Sequence, residues 1–318
     1  MNAASLLSEL RRRDIRVWVA GGQLHCAAKA GALTPELRAQ LHERKGEILD
    51  ALASAQAHAA QERAIVPLQA SGTRAPVFGV PGHNGDVFCY RALAQRLGED
   101  QPFYGLQPPG VDGQDEPLTR AEDIAACFAR QIRAFRPQGP YVIAGYCAGG
   151  TIAFELAQQL LRGGAAVSLL ALFGSPYPAY FRLASQLRLR VAEKLALLRD
   201  VGTRSPAASR RYLAERLRRR RDRMRVEQAK ATDPLLMLRA RVERATLGAV
   251  RAYAPRPFSG RLALFLPSRE WPHARRWRSV GRGASEYISP TGCGAQDMLR
   301  EPNAAAFAEL FTSAMLRL

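Results

Sequence analysis

The sequence predicts a mostly parallel α/β sheet covered by helices on both faces, with a small α+β module in front of it. Three observations carry this. From Ala75 onward, short apolar runs of strand length alternate with stretches of helical spacing. One of those runs, Tyr141-Val142-Ile143-Ala144, leads straight into the glycine-flanked turn Gly145-Tyr146-Cys147-Ala148-Gly149-Gly150 and then into an amphipathic helix. Residues 3–60 follow a different pattern, helix, hairpin, helix, and a chain of 318 residues is long enough for two units.

In the front module, Leu6, Leu7 and Leu10 mark one helical face. Ile15-Arg16-Val17-Trp18-Val19 alternates as a strand does, Gly21-Gly22 is a hairpin turn, and Gln23 to Ala27 returns. Thr34 is placed to cap a second helix with Pro35 at its first position, and Leu37, Leu41, Ile48 and Leu49 form its buried stripe. The module is expected over 1–58, with a linker over 59–74.

The larger domain is expected over 75–318. Its strands are Ala75–Val80, Pro102–Leu106, Tyr141–Ala144, Val167–Phe173, Arg261–Leu266 and Glu286–Ser289. Helical spacing joins Tyr90, Leu93, Ala94 and Leu97, and again Ile124, Cys127, Phe128 and Ile132. The alternation stops between about 178 and 252, where an arginine-rich helical lid is expected. The run Arg218–Arg221 reads equally well as a solvated helix face.

Composition narrows the partners. The apolar fraction of 47% suits a globular core. No apolar run is long enough to span a bilayer. The N-terminal charges follow the apolar residues without a cleavage pattern, so no secretory signal is expected. Five scattered cysteines without metal spacing suit free thiols in a reducing cytoplasm. The net charge of +18 comes mostly from arginine and is accompanied by no nucleic-acid motif. An acidic protein partner fits it better than nucleic acid does.

The turn around Cys147 carries the chemistry. Strand, tight glycine turn and helix are the setting of a nucleophile elbow, with Cys where G-x-S-x-G has Ser. The apex side chain stands beside a helix N-terminus, which is expected to favour a thiolate and to hold an oxyanion. The plain alternative is a buried cysteine in a βα turn.

Two stretches resemble known families. "LRRRDIRVWVAGGQLHCAAKAGALTPELRAQLHERKGEIL" is similar to the N-terminal docking domains of the TubC type. That resemblance implies an exposed strand that receives the tail of an upstream synthetase subunit by strand addition. "VFGVPGHNGDVFCYRALAQRLGEDQPFYGLQPPG", "GPYVIAGYCAGGTIAFELAQQL" and "DMLREPNAAAFAELF" together resemble the thioesterase domains of nonribosomal peptide and polyketide assembly lines, which have the α/β-hydrolase fold. The resemblance implies Cys147 as nucleophile. It also implies backbone oxyanion donors at Ala148 and in the Pro81-Gly82-His83 loop, of which His83 is favoured. The substrate would arrive on the phosphopantetheine of a carrier protein, with no cofactor of the chain's own.

The chain departs from that family at two positions. Gly174 stands where the triad Asp is expected, and Ala295 where the triad His is expected. Three residues are candidate replacements: the His83 side chain, His273 and Asp297. Each also has a structural reading, respectively a loop hydrogen-bonder, a surface ring beside Trp271 and Trp277, and a charge at a helix start. Cys293 reads as a packed turn residue, and His25, His42 and His58 belong to the front module.

The function expected is acyl, aminoacyl or peptidyl transfer from a carrier onto Cys147, followed by release or transfer. Hydrolysis is less favoured, because water needs a general base, usually worth about 100- to 10,000-fold. The alternative is a catalytically degenerate binding or scaffold module that docks to an assembly line.

Overall fold

The chain is described from a computed structural model. It describes residues 6–49 except 7, 8, 11, 12, 14, 21, 22 and 29–31; residues 64–182; Arg218; and residues 234–316 except 282, 290 and 291. Two compact units result, Met1–Arg63 and Ala64–Leu318.

The first unit is small. Strands β1 (Arg16–Ala20) and β2 (Gln23–Ala27) pair antiparallel, Arg16 opposite Ala27. Helix α1 (Pro35–Glu43) begins as its sequence requires: the Thr34 hydroxyl accepts from the Leu37 amide at 3.3 Å, with proline in the first turn. Leu6, Leu10, Ile15, Leu37, Leu41 and Ile48 form its core. His25, Cys26 and Ala27 on β2 are exposed. The Gly21-Gly22 turn lies outside the described residues.

The second unit is built on seven strands in the order β3-β5-β4-β6-β7-β8-β9. These are β3 (Ile65–Gln69), β4 (Val77–Val80), β5 (Phe103–Leu106), β6 (Tyr141–Tyr146), β7 (Val167–Phe173), β8 (Leu262–Leu266) and β9 (Ser285–Ile288). Only β3 runs antiparallel, against β5; the other neighbours are parallel. Strand β3 lies inside the stretch expected to be a linker. Pro67 breaks its apolar run, which a sheet edge tolerates because a proline there forfeits no ladder bond.

The period of two along β7 divides the core. Leu170 and Leu172 face one layer, and Leu169, Ala171 and Phe173 the other. Helices α2 (Arg91–Arg96) and α7 (Asn303–Leu316) cover the second face, through Leu93, Phe307 and Phe311. Helices α3 (Ala121–Phe135) and α4 (Gly149–Arg162) cover the first, with α6 (Ala274–Val280) adding Trp277. No helix among the described residues is long and apolar enough to cross a membrane.

Of the stretch expected as a lid, the structure describes a 3-10 turn at Pro178–Phe181 and helix α5 (Pro234–Ala252). The part over 183–233 lies outside the described residues apart from Arg218, and with it the rest of the arginine run. Helix α5 is fixed at its end. The hydroxyl of buried Tyr253 donates to Glu155 Oε2 at 2.6 Å. Glu155, 4% exposed on α4, also accepts from Arg162 at 2.8 Å and Gln159 at 2.9 Å. A buried carboxylate is tolerated only when its oxygens are satisfied in this way. Tyr253→Phe is therefore expected to lower stability by about 1–3 kcal/mol, read from the midpoint of urea unfolding at unchanged slope.

Candidate active site

Strand β6 carries the chain into the site and helix α4 carries it away. Between them Cys147 has φ of 51°, and among the described residues no other non-glycine residue has positive φ. A side chain held in the left-handed region costs free energy, and such strain persists only where the surroundings enforce it. Those surroundings are tight. The Cys147 amide donates to the Phe173 carbonyl at the end of β7, 3.1 Å away. A Cβ on Gly149 would come within 1.9 Å of the Pro81 carbonyl oxygen, and one on Gly145 within 2.6 Å of the Ala153 methyl. Only glycines let α4 approach β4 and β6 this closely.

The Ala148 amide lies beside the Cys147 sulfur and favours its thiolate. Across from it, the loop after β4 contributes Gly82 and His83. The Gly82 amide lies near the Cys89 sulfur in the same way. Among the described residues, the amides of Ala148 and His83 have no main-chain carbonyl partner. His83 Nδ1 lies 3.9 Å from Cys147 Sγ, and its Nε2 lies 3.5 Å from Glu243 Oε1 on α5. A cavity of about 1040 Å³ opens over the elbow. Its lining includes His83, Tyr146, Cys147, Gly174 and Ala295, and Arg91, Arg251 and Arg300 add positive charge.

One sequence expectation is overturned here. The helix N-terminus does not win at Cys147: burial pushes the thiol above its ordinary value of 9.0, and the Ala148 hydrogen bond only partly opposes that. Taking a thiolate out of water costs more than one aligned amide returns. Cys89 nearby is pushed further, to about 12, first by burial and then by Asp86.

Gly174 and Ala295, which stand where a triad acid and base are expected, sit side by side. A Cβ built on Gly174 would lie 3.5 Å from the Ala295 methyl. It would also meet Met298 Sδ at 2.7 Å, and Met298 is fully buried. A core methionine thus fills the space that a side chain at position 174 would need. Tyr146 closes this corner by donating its hydroxyl to the Ala295 carbonyl at 3.2 Å.

The other two candidate bases do not reach the sulfur. His273 starts α6, with its ring against Tyr180 and Trp271, and it does not line the cavity. Asp297 sits in a turn, its amide donating to the Gly294 carbonyl at 3.0 Å, and is likewise absent from the lining. Cys293 is half-buried in the same region. Sequence reasoning misses Glu243. Its only local signal is the spacing Glu243, Leu247, Arg251 along one face of α5, and the last two line the cavity.

The thioesterase-domain family model matches residues 75–289. The chain belongs to that family. Residues 4–53 match the TubC N-terminal docking domain. The chain is 38% identical over 117 residues to a dimodular nonribosomal peptide synthase of Bacillus subtilis (strain 168), covering 37% of this chain and 5% of that protein. It is 37% identical over 126 residues to the indigoidine synthase of Dickeya dadantii (strain 3937), covering 39% of this chain and 8% of that one. The matched stretch thus spans a small part of these relatives. In fold, the thioesterase-family unit is similar to the NocB thioesterase domain of the nocardicin cluster (TM-score 0.58, 21% identity, 80% of this chain and 99% of that one). It is also similar to YbtT, a type II thioesterase of the yersiniabactin pathway (TM-score 0.55, 20% identity, 80% and 98%).

Two outcomes are expected. Gly174→Asp puts a Cβ at φ of 49° against Met298 and should cost about 1–3 kcal/mol of stability by denaturant unfolding, without filling a usable triad position. His273 is held at about 4 against an ordinary 6.5, first by burial and then by Arg276. Its folded value is lowered, so the unfolded chain takes the proton first. The stability it contributes is complete above pH 6.5 and is lost as pH falls toward 4. His273→Phe should flatten that part of a thermal-midpoint-versus-pH curve.

Proposed function

We propose that this family member accepts an acyl, aminoacyl or peptidyl group from a carrier protein's phosphopantetheine onto Cys147, then passes it to an acceptor. The observation that carries the reading is the strained backbone at Cys147, which keeps its sulfur against the Ala148 amide at the floor of the cavity. Strain of this kind is disfavoured in a merely structural turn.

The chemistry follows from the thiol. Its proton leaves, Sγ attacks the thioester carbonyl, and a new S–C bond forms as the pantetheine S–C bond breaks. The departing pantetheine sulfur takes up a proton. The exchange trades one thioester for another, so the barrier lies in the oxyanion. Amides at Ala148 and His83 are the donors we assign to it, each such donor being worth about 3–4 kcal/mol. Transfer to an amine or thiol demands less base assistance than attack by water, which favours transfer over hydrolysis.

The arginines at the cavity suit a phosphate-bearing arm and an acidic carrier surface, so the encounter should weaken with salt. In the front module, β1 and β2 form a two-stranded sheet whose exposed β2 residues suit strand addition by an upstream synthetase subunit.

A second reading, a scaffold module without turnover, is favoured by Gly174 and Ala295 and by the raised thiol. Intact-protein mass spectrometry after incubation with acylated carrier, or with an acyl N-acetylcysteamine thioester, separates the two. The enzyme reading expects a mass adduct that is lost in Cys147→Ala. No adduct with any acyl group tried would leave the scaffold.

A further inference from the structure

A half-buried thiol is a poor nucleophile without a base, and the positions that the family resemblance assigns to the base and the acid hold Ala295 and Gly174. Charged and titratable side chains reach the cavity from several elements, among them Tyr146 on β6, Arg91 on α2 and Glu301 before α7. The loop after β4 and the 3-10 turn Val87–Tyr90 bring His83, Asp86 and Cys89; α5 brings Glu243 and Arg251; the segment before α7 brings Arg300. Of these, His83 is in contact with Sγ, and Glu243 is in contact with the far nitrogen of His83. We propose that Cys147, His83 and Glu243 form a replacement relay, with Glu243 on α5 as the residue that positions the imidazole.

The geometry fixes the roles. Glu243 Oε1 lies 3.5 Å from Nε2 and Cys147 Sγ lies 3.9 Å from Nδ1, so the two ring nitrogens face an acid and a thiol respectively. A carboxylate beside Nε2 keeps the proton there and leaves the Nδ1 lone pair toward the sulfur. Both contacts are long for a formed hydrogen bond, as is common before substrate binds. The helix that carries Glu243 is not free to drift. Val242 is buried, the β4 loop packs on it at Gly85, and Tyr253 fastens the helix end to Glu155.

During acylation the Sγ proton passes to Nδ1 as Sγ attacks the carbonyl carbon. The same proton returns from Nδ1 to the pantetheine sulfur as the old S–C bond breaks. No oxidant or further reactant enters. The base has thus moved from the segment before α7 to the loop after β4, and the acid from the end of β7 to α5.

This relay deepens the acyl-transfer reading and rests on it. The test therefore uses a probe that needs no substrate. Site-resolved carboxamidomethylation of Cys147 by iodoacetamide in the full chain, near neutral pH, reads the reactivity of the sulfur. His83→Ala is expected to slow it by about 100-fold. Glu243→Gln should slow it by about 10-fold, and should have no further effect in the His83→Ala background. Added imidazole should restore much of the His83→Ala rate, which a purely structural loss would not allow. In ¹⁵N spectra of histidine-labelled protein, the His83 signal should show the Nε2-protonated tautomer, and should move toward a mixture in Glu243→Gln.

An unchanged rate in Glu243→Gln, full additivity with His83→Ala, or an Nδ1-protonated His83 in the wild type would overturn the relay. If iodoacetamide reports the relay while carrier thioesters leave no adduct, the acyl-transfer reading fails and the relay stands. If carrier thioesters leave an adduct at the wild-type rate in Glu243→Gln, the acyl-transfer reading stands and the relay fails.

Discussion

The contact on which the site depends is the near-touch between the start of α4 and the Pro81 carbonyl on the neighbouring loop. It requires glycine at position 149, directly after the turn in which Cys147 takes positive φ. Everything chemical is downstream of that constraint. The sulfur is brought against the Ala148 amide, the His83 loop is packed alongside, and the cavity lies above both. Strain of a few kcal/mol is tolerated only in a well-packed sheet, and the fully buried β6 and β7 residues beneath supply that packing.

The same packing sets a limit on the sulfur. An elbow buried enough to hold its strained turn is also dry enough to disfavour the thiolate. One amide at a helix start cannot offset that desolvation. A histidine and an acid beside the nucleophile are the usual answer to this problem on such an elbow. Here that corner holds Gly174, Ala295 and the sulfur of Met298. The imidazole that does meet Cys147 comes from the loop after β4, and the carboxylate behind it from α5.

Much of this is legible along the chain. The alternation of apolar runs marks six of the parallel-sheet strands, and the glycines around Cys147 mark the turn, because both depend on patterns a few residues long. Thr34 and Pro35 mark the start of α1 for the same reason. Strand β3 escapes notice because Pro67 interrupts its run, and an edge strand imposes little pattern. His273 and Asp297 look as eligible as His83 in one dimension. The His273 ring is held by Tyr180 and Trp271, and Asp297 is held by its turn with Gly294.

The sheet, the elbow and the cysteine at its apex can be read along the chain, as can Gly174 and Ala295 at the positions where the family resemblance places an acid and a base. These are properties of local pattern and residue identity. Which histidine meets the sulfur, the place of Glu243 behind it and the raised thiol come from the fold alone. Those depend on how α5 and the β4 loop converge and on how much water the packed elbow excludes. Distances between remote segments and the desolvation of a single atom are set by the whole fold, and no short stretch of sequence encodes them.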